Sequence, residues 1–205
     1  MSDAATSVTV MTRLIYNTAT TLDGYLADDS DSLDWLFAVP GADEAESAFP
    51  AFLEGIGAMV MGSATYEWVY DHENLAAHPE KWGYGDRLSL VLTTRDLPRV
   101  AGANVRFHSG SVRDAWDELV AAAGDKDVWV VGGGDVVGQF ADAGLLDEIR
   151  VSIAPATLGA GKPLLPRVLG SDRLRLESAG RAGQFAELVY SVDRPAAGPA
   201  GGSDA

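Results

Sequence analysis

The stretch Asp127-Val128-Trp129-Val130-Val131-Gly132-Gly133-Gly134-Asp135-Val136-Val137-Gly138-Gln139-Phe140 decides the fold. Residues 128–131 are β-branched or aromatic throughout and lack the polar alternation of a half-exposed strand. They predict a strand covered on both faces. Three glycines follow, and then an apolar-periodic segment that predicts a helix. A helix starting directly after a buried strand aims its free N–H groups and the positive end of its dipole at the carboxyl edge of the sheet. Glycines there remove each Cβ that would hold an anion away, so a phosphate or pyrophosphate can sit directly on the backbone. The junction therefore reads as a dinucleotide-shaped site, with a plain tight turn as the competing reading.

Composition limits what such a site can serve. The chain has 205 residues, 47% of them hydrophobic, which suits one globular domain with a substantial core. No run approaches the ~20 apolar residues of a membrane span, and the start lacks the order of a secretory signal, so a soluble, cytoplasmic protein is expected. The absence of cysteine excludes disulfides, thiolate catalysis and cysteine zinc sites. His72, His78 and His108 have no metal-ligand spacing, and no metal is expected. A formal net charge of −15 argues against nucleic acid, which demands a basic patch.

Working outward from the glycines, residues 13–19 predict a first strand, followed by Asp23-Gly24, a strong turn signal. That loop either closes over a ligand or is a surface hairpin. Residues 42–54 have helical apolar spacing, interrupted by Pro50 unless it opens a new turn. Residues 56–62 predict a buried strand and Ser63 onward a helix, a second strand-glycine-helix junction and a second seat for an anion. The polar, aromatic-containing connection over 70–87 is long enough to suggest a functional or partner-facing loop. Strands are expected at 88–93, 104–108 and 149–154, a helix at 112–123, and a closing antiparallel hairpin at 174–179 and 185–192. The fold class is α/β, a mostly parallel sheet flanked by helices with an antiparallel C-terminal edge. One domain over 13–192 is expected, with flexible tails at 1–12 and 194–205.

The ordered set Leu22-Asp23-Gly24-Tyr25, Val60-Met61-Gly62-x-x-Thr65-Tyr66-Glu67, Leu92-Thr93-Thr94-Arg95, Val131-Gly132-Gly133-Gly134 and Ala143-Gly144-Leu145-Leu146-Asp147-Glu148 resembles the dihydrofolate-reductase-like superfamily. Within it the chain is similar to the reductase domain of bifunctional riboflavin-biosynthesis proteins and its stand-alone bacterial relatives. The resemblance implies NADPH along the carboxyl edge of the sheet and hydride transfer to a small heterocyclic or ribosylaminopyrimidine-type substrate, in a homodimer. It implies that Gly62, Ser63 and Thr65 hold cofactor phosphates, although relatives often have arginine where Ser63 stands. It further implies that Thr93, Thr94 and Arg95 grip the adenosine phosphate, and that Gly132, Gly133 and Gly134 form the pyrophosphate turn. Asp135, in the first helical turn, is expected to face solvent or cap the turn, because a carboxylate pointing inward would oppose a diphosphate.

For the substrate, the resemblance implies a catalytic carboxylate near Glu46, with Asp43 as the alternative, and an acidic loop residue beside the nicotinamide at Asp23. Trp35 reads as core or interface rather than a stacking platform. Lys162 is a candidate for a substrate phosphate, against the plain reading of a solvated lysine. Hydride transfer itself needs no side-chain nucleophile, because the cofactor carries the chemistry and the protein aligns donor and acceptor. Two classes of function follow: a reductase, either of the riboflavin pathway or of an unrelated small molecule, and an NADP(H)-binding module without turnover.

Overall fold

The structure is a computed structural model that describes residues 11–42 and 47–194. The tail expectations for 1–10 and 195–205, and the candidates Asp43 and Glu46, lie outside the described residues.

Eight strands form one sheet, in the order β5-β4-β3-β6-β1-β7-β10-β9. They are β1 (Leu14–Thr21), β3 (Ile56–Gly62), β4 (Leu88–Leu92), β5 (Val105–His108), β6 (Asp127–Gly132), β7 (Glu148–Ala154), β9 (Leu174–Ala182) and β10 (Phe185–Val192). Neighbours from β5 to β7 pair in parallel, whereas β10 pairs antiparallel with β7 and β9 antiparallel with β10. This is the α/β sheet with an antiparallel edge expected from the sequence. A separate two-stranded sheet joins β2 (Tyr25–Ala27) to β8 (Lys162–Pro163). The Asp23-Gly24 turn therefore leads into a strand that pairs with β8, not into a hairpin with β1.

The continuous apolar strands resolve into two alternating faces, because successive side chains point to opposite sides of a sheet. Ala58, Val60, Val128 and Val130 enter one core, and Met59, Met61 and Trp129 enter the other. The first core is covered by α4 (Val112–Ala123) and α5 (Gly134–Asp142), through Ala115, Leu119, Val137 and Phe140. The second packs Tyr66 of α3 (Ser63–His72) together with Phe49 and Phe52 of α2 (Phe49–Glu54). Residues 47–48 are turn, so α2 is not one helix with residue 42; Pro50 sits in its first turn, where a missing N–H costs nothing.

The long connection after α3 is committed to this second core. Leu75 and Trp82 are buried, Tyr84 meets Trp129 edge-on at 5.9 Å, and Arg87 Nε donates to the Ile56 carbonyl at 2.8 Å. Its length is explained by covering a sheet face that would otherwise be wet. A short helix, α1 (Asp34–Phe37), packs Trp35 and Leu36 near Val39, Ala154 and Phe185. Among the described residues no helix is long and apolar enough to cross a membrane.

Candidate active site

Two strand-to-helix junctions meet at the carboxyl edge of the parallel sheet. β3 ends at Gly62, which caps α3, and β6 runs through Gly132 to Gly133, which caps α5. Neither cap residue makes a side-chain hydrogen bond to the helix start, so the first-turn amides are left without a side-chain cap. The junctions converge closely: a Cβ added to Gly62 would lie 3.8 Å from the amide nitrogen of Gly133. At Gly133 itself an added Cβ would meet nothing within 4 Å, whereas at Gly134 it would lie 2.3 Å from the Pro163 carbonyl oxygen. Gly133 thus presents bare backbone to open space, and Gly134 admits the loop that carries β8.

The open space is a cavity of about 650 Å³ lined by both junctions. Gly62, Ser63, Thr65, Gly132, Gly133, Gly134 and Asp135 all belong to its wall. The structure therefore brings together seven of the ten cofactor-binding candidates from the sequence. Asp135 keeps its carboxylate occupied, accepting from Gln139 at 2.9 Å and from Arg167 at 2.9 Å. The Gln139 amide first, and then the guanidinium, hold it below the usual carboxylate range.

The remaining candidates lie elsewhere. Leu92 reaches the wall, but Thr93, Thr94 and Arg95, which follow it, do not line the cavity. Arg95 forms a two-pronged ion pair with Glu67 of α3, one nitrogen at 3.0 Å from Oε1 and the other in contact with Oε2. Asp23 is also outside the wall. Its carboxylate accepts from the Thr21 hydroxyl at 2.6 Å, from Leu158 N at 3.1 Å and from Gly159 N at 2.7 Å. These bonds, the Thr21 hydroxyl first, lower its pKa. They fasten the turn after β1 to the loop after β7.

Of the other wall residues, Trp35 was read in the sequence as core or interface and Lys162 as a candidate for a substrate phosphate, whereas Trp68 went unread. Trp35 lines the cavity as well as packing on its own small core, and its Nε1 donates to the Leu26 carbonyl at 3.2 Å. The dense apolar run Leu33-Asp34-Trp35-Leu36-Phe37 between polar segments was the available signal. Trp68 also lines the cavity and stacks on His72, with ring centroids 4.4 Å apart. Lys162 reaches the wall with its ammonium 3.6 Å from Asp31, another wall residue. Arg167, beside the wall residue Pro166, had no signal in its Gly/Pro-rich surroundings; it bridges Asp135 and Asp142.

A sheet of this order, with a cavity over its glycine-rich edge, has the dihydrofolate-reductase-like fold. More narrowly, the chain belongs to the RibD C-terminal domain family, whose model matches residues 12–184. It is similar to the uncharacterised protein YwjB of Bacillus subtilis (strain 168), 27% identical over 172 residues, or 84% of this chain and 93% of that one. Among solved structures it resembles a protein of Shewanella sp. PV-4 provisionally assigned to riboflavin biosynthesis, with a TM-score of 0.75, 26% identity, and 90% and 100% of the two chains covered. The fold is shared with a deaminase/5-amino-6-(5-phosphoribosylamino)uracil reductase of Thermotoga maritima, at a TM-score of 0.64 and 16% identity, covering 89% of this chain and 57% of that one. It is shared too with an Enterococcus faecalis dihydrofolate reductase complexed with NADP(H), at a TM-score of 0.56 and 15% identity, covering 90% and 97%.

Proposed function

We propose that this chain is an NADPH-dependent reductase that delivers hydride to a small heterocyclic or ribosylaminopyrimidine-type substrate, as in the reductases of riboflavin biosynthesis. The observation that carries this reading is the convergence of two glycine-capped helix starts on one cavity. Helix N-termini attract anions, and two of them side by side suit a pyrophosphate. The open backbone at Gly133 fits such a group, because a side chain there would fill the space the phosphates need. Gly62, Ser63, Thr65 and Gly132 to Gly134 would hold it. When bound, the nicotinamide supplies the hydride.

The protein's part is alignment. Thr18 and Ala19 of β1 and Val131 of β6 contribute to the floor of the cavity, and Trp35 and Trp68 to its apolar wall, so an acceptor ring is packed rather than solvated. Asp23 remains the proposed acidic loop residue, acting through the turn it fixes, and Glu46 the proposed carboxylate for proton delivery. The same reading includes a cytoplasmic homodimer, which sedimentation would test.

The decisive experiment is NADPH oxidation with a panel of aminopyrimidine and pterin acceptors, run beside NADPH titration. Turnover with any of them is the expected result. Tight NADPH binding without turnover across the panel would favour the nucleotide-binding module instead, and no NADPH binding would end both readings.

A further inference from the structure

The cavity wall is chemically divided. The helix starts at Gly62 and Gly133 make its polar part, while Leu26, Leu33, Trp35, Leu36 and Trp68 make an apolar, aromatic part. Trp35 has its one polar atom satisfied by the Leu26 carbonyl, so its ring offers only π-surface. Trp68 stacks on His72, with centroids 4.4 Å apart, and Phe37 lies near-parallel to both, 5.5 Å from His72 and 6.3 Å from Trp68.

Positive charge is scarce there. All 15 lysines and arginines of the chain fall among the described residues, and of these Lys162 alone lines the cavity. Its ammonium is already 3.6 Å from Asp31. Arg167, just beyond the rim, is shared between Asp135 and Asp142 at 2.9 and 2.8 Å. Arg95 is held by Glu67. The wall itself sets two carboxylates, Asp31 and Asp135, against one ammonium. A phosphate monoester carries about −1.5 to −2 charges at neutral pH and calls for arginines or a free helix start. Both helix starts are assigned above to the cofactor.

We propose, resting on that cofactor placement, that the acceptor is a planar, uncharged heteroaromatic ring without a phosphate, packed against Trp35. The phosphorylated ribosyl arm of the riboflavin-pathway substrate would find in the wall only Lys162, whose ammonium stands beside Asp31. A flat ring system buries its faces on the tryptophan and leucines.

The test is calorimetric titration of three probes into the protein, with and without saturating NADPH. Lumazine is an uncharged bicyclic ring, and uridine and uridine 5′-monophosphate differ only by the phosphate. Lumazine should bind, and Trp35→Ala should weaken it roughly tenfold or more. With NADPH saturating, and the helix starts therefore filled, uridine 5′-monophosphate should bind no tighter than uridine. The proposal is overturned if lumazine fails to bind or ignores Trp35→Ala. It is equally overturned if, in saturating NADPH, the monophosphate binds at least tenfold tighter than uridine, whether or not Lys162→Ala removes that advantage. Trp35→Leu keeps apolar bulk and serves where the alanine variant melts early; it should weaken lumazine in the same direction. Failure of NADPH to bind would strike the proposed reductase function separately, because the cofactor-free titrations still report on the ring site.

Discussion

Adding a Cβ has opposite outcomes at Gly133 and Gly134. Gly133 has φ −81° and ψ 179°, an extended conformation open to any residue, and free space where the side chain would go. Gly133→Val should therefore melt like wild type yet weaken NADPH roughly ten- to a hundredfold, about the worth of a charge-assisted hydrogen bond, in a fluorescence titration. Gly134→Ala, 2.3 Å from a backbone oxygen, should instead cost about 1–3 kcal/mol in chemical denaturation. Arg95 is held by Glu67, so a 2′-phosphate would have to compete with that carboxylate. Glu67→Gln should tighten NADPH and leave NADH unchanged, and Arg95→Ala should do the reverse to NADPH; equal effects on both cofactors would remove Arg95 from the phosphate site. Asp23 gives a pH signature. Its folded pKa is lowered, by the Thr21 hydroxyl first and then the Gly159 amide. The stability it adds is complete above the ordinary carboxylate pKa and is lost as pH falls through the folded value. Melting curves of wild type and Asp23→Asn should differ at pH 7 and converge as the solution is acidified below that range.

At the level of elements, local chemistry made some boundaries legible. The helix expected at 112–123 is α4, because Ser111 accepts from Asp114 N at 3.2 Å while Asp114 reaches back to the Ser111 amide, closing a capping box, and Gly124 ends it. Ser111→Ala should cost ~1 kcal/mol by urea denaturation without touching ligand binding. The β6 to α5 junction was legible for the same kind of reason: period, glycines and helix pattern coincide. The pairing of β2 with β8 was not legible. It joins Tyr25 to Pro163 and Ala27 to Lys162, too far apart in sequence for any local propensity to encode. Without that pairing, nothing in the sequence could bring Trp35 and Lys162 to one cavity. The connection after α3 misled for a related reason, since polar residues between Leu75, Trp82 and Tyr84 hid how much of it is core.

Across the whole molecule, cofactor binding and folding are linked. NADPH at ~100 times its dissociation constant should add roughly 2.7 kcal/mol, a melting shift of about 5–11 °C for a chain of this size. A scan showing no shift in millimolar NADPH would count against the site as a whole. The grip of Asp23 on Leu158 and Gly159 also reaches beyond stability. Together with the Leu164 N bond to the Gly24 carbonyl at 2.9 Å and the β2–β8 pairing, it makes two remote stretches of chain a single transplantable part. A chimera that takes residues 22–36 from a homologue but keeps its own 156–167 would carry mismatched halves of one cavity wall. Specificity in this protein should be exchangeable by grafting both stretches at once, and by neither alone.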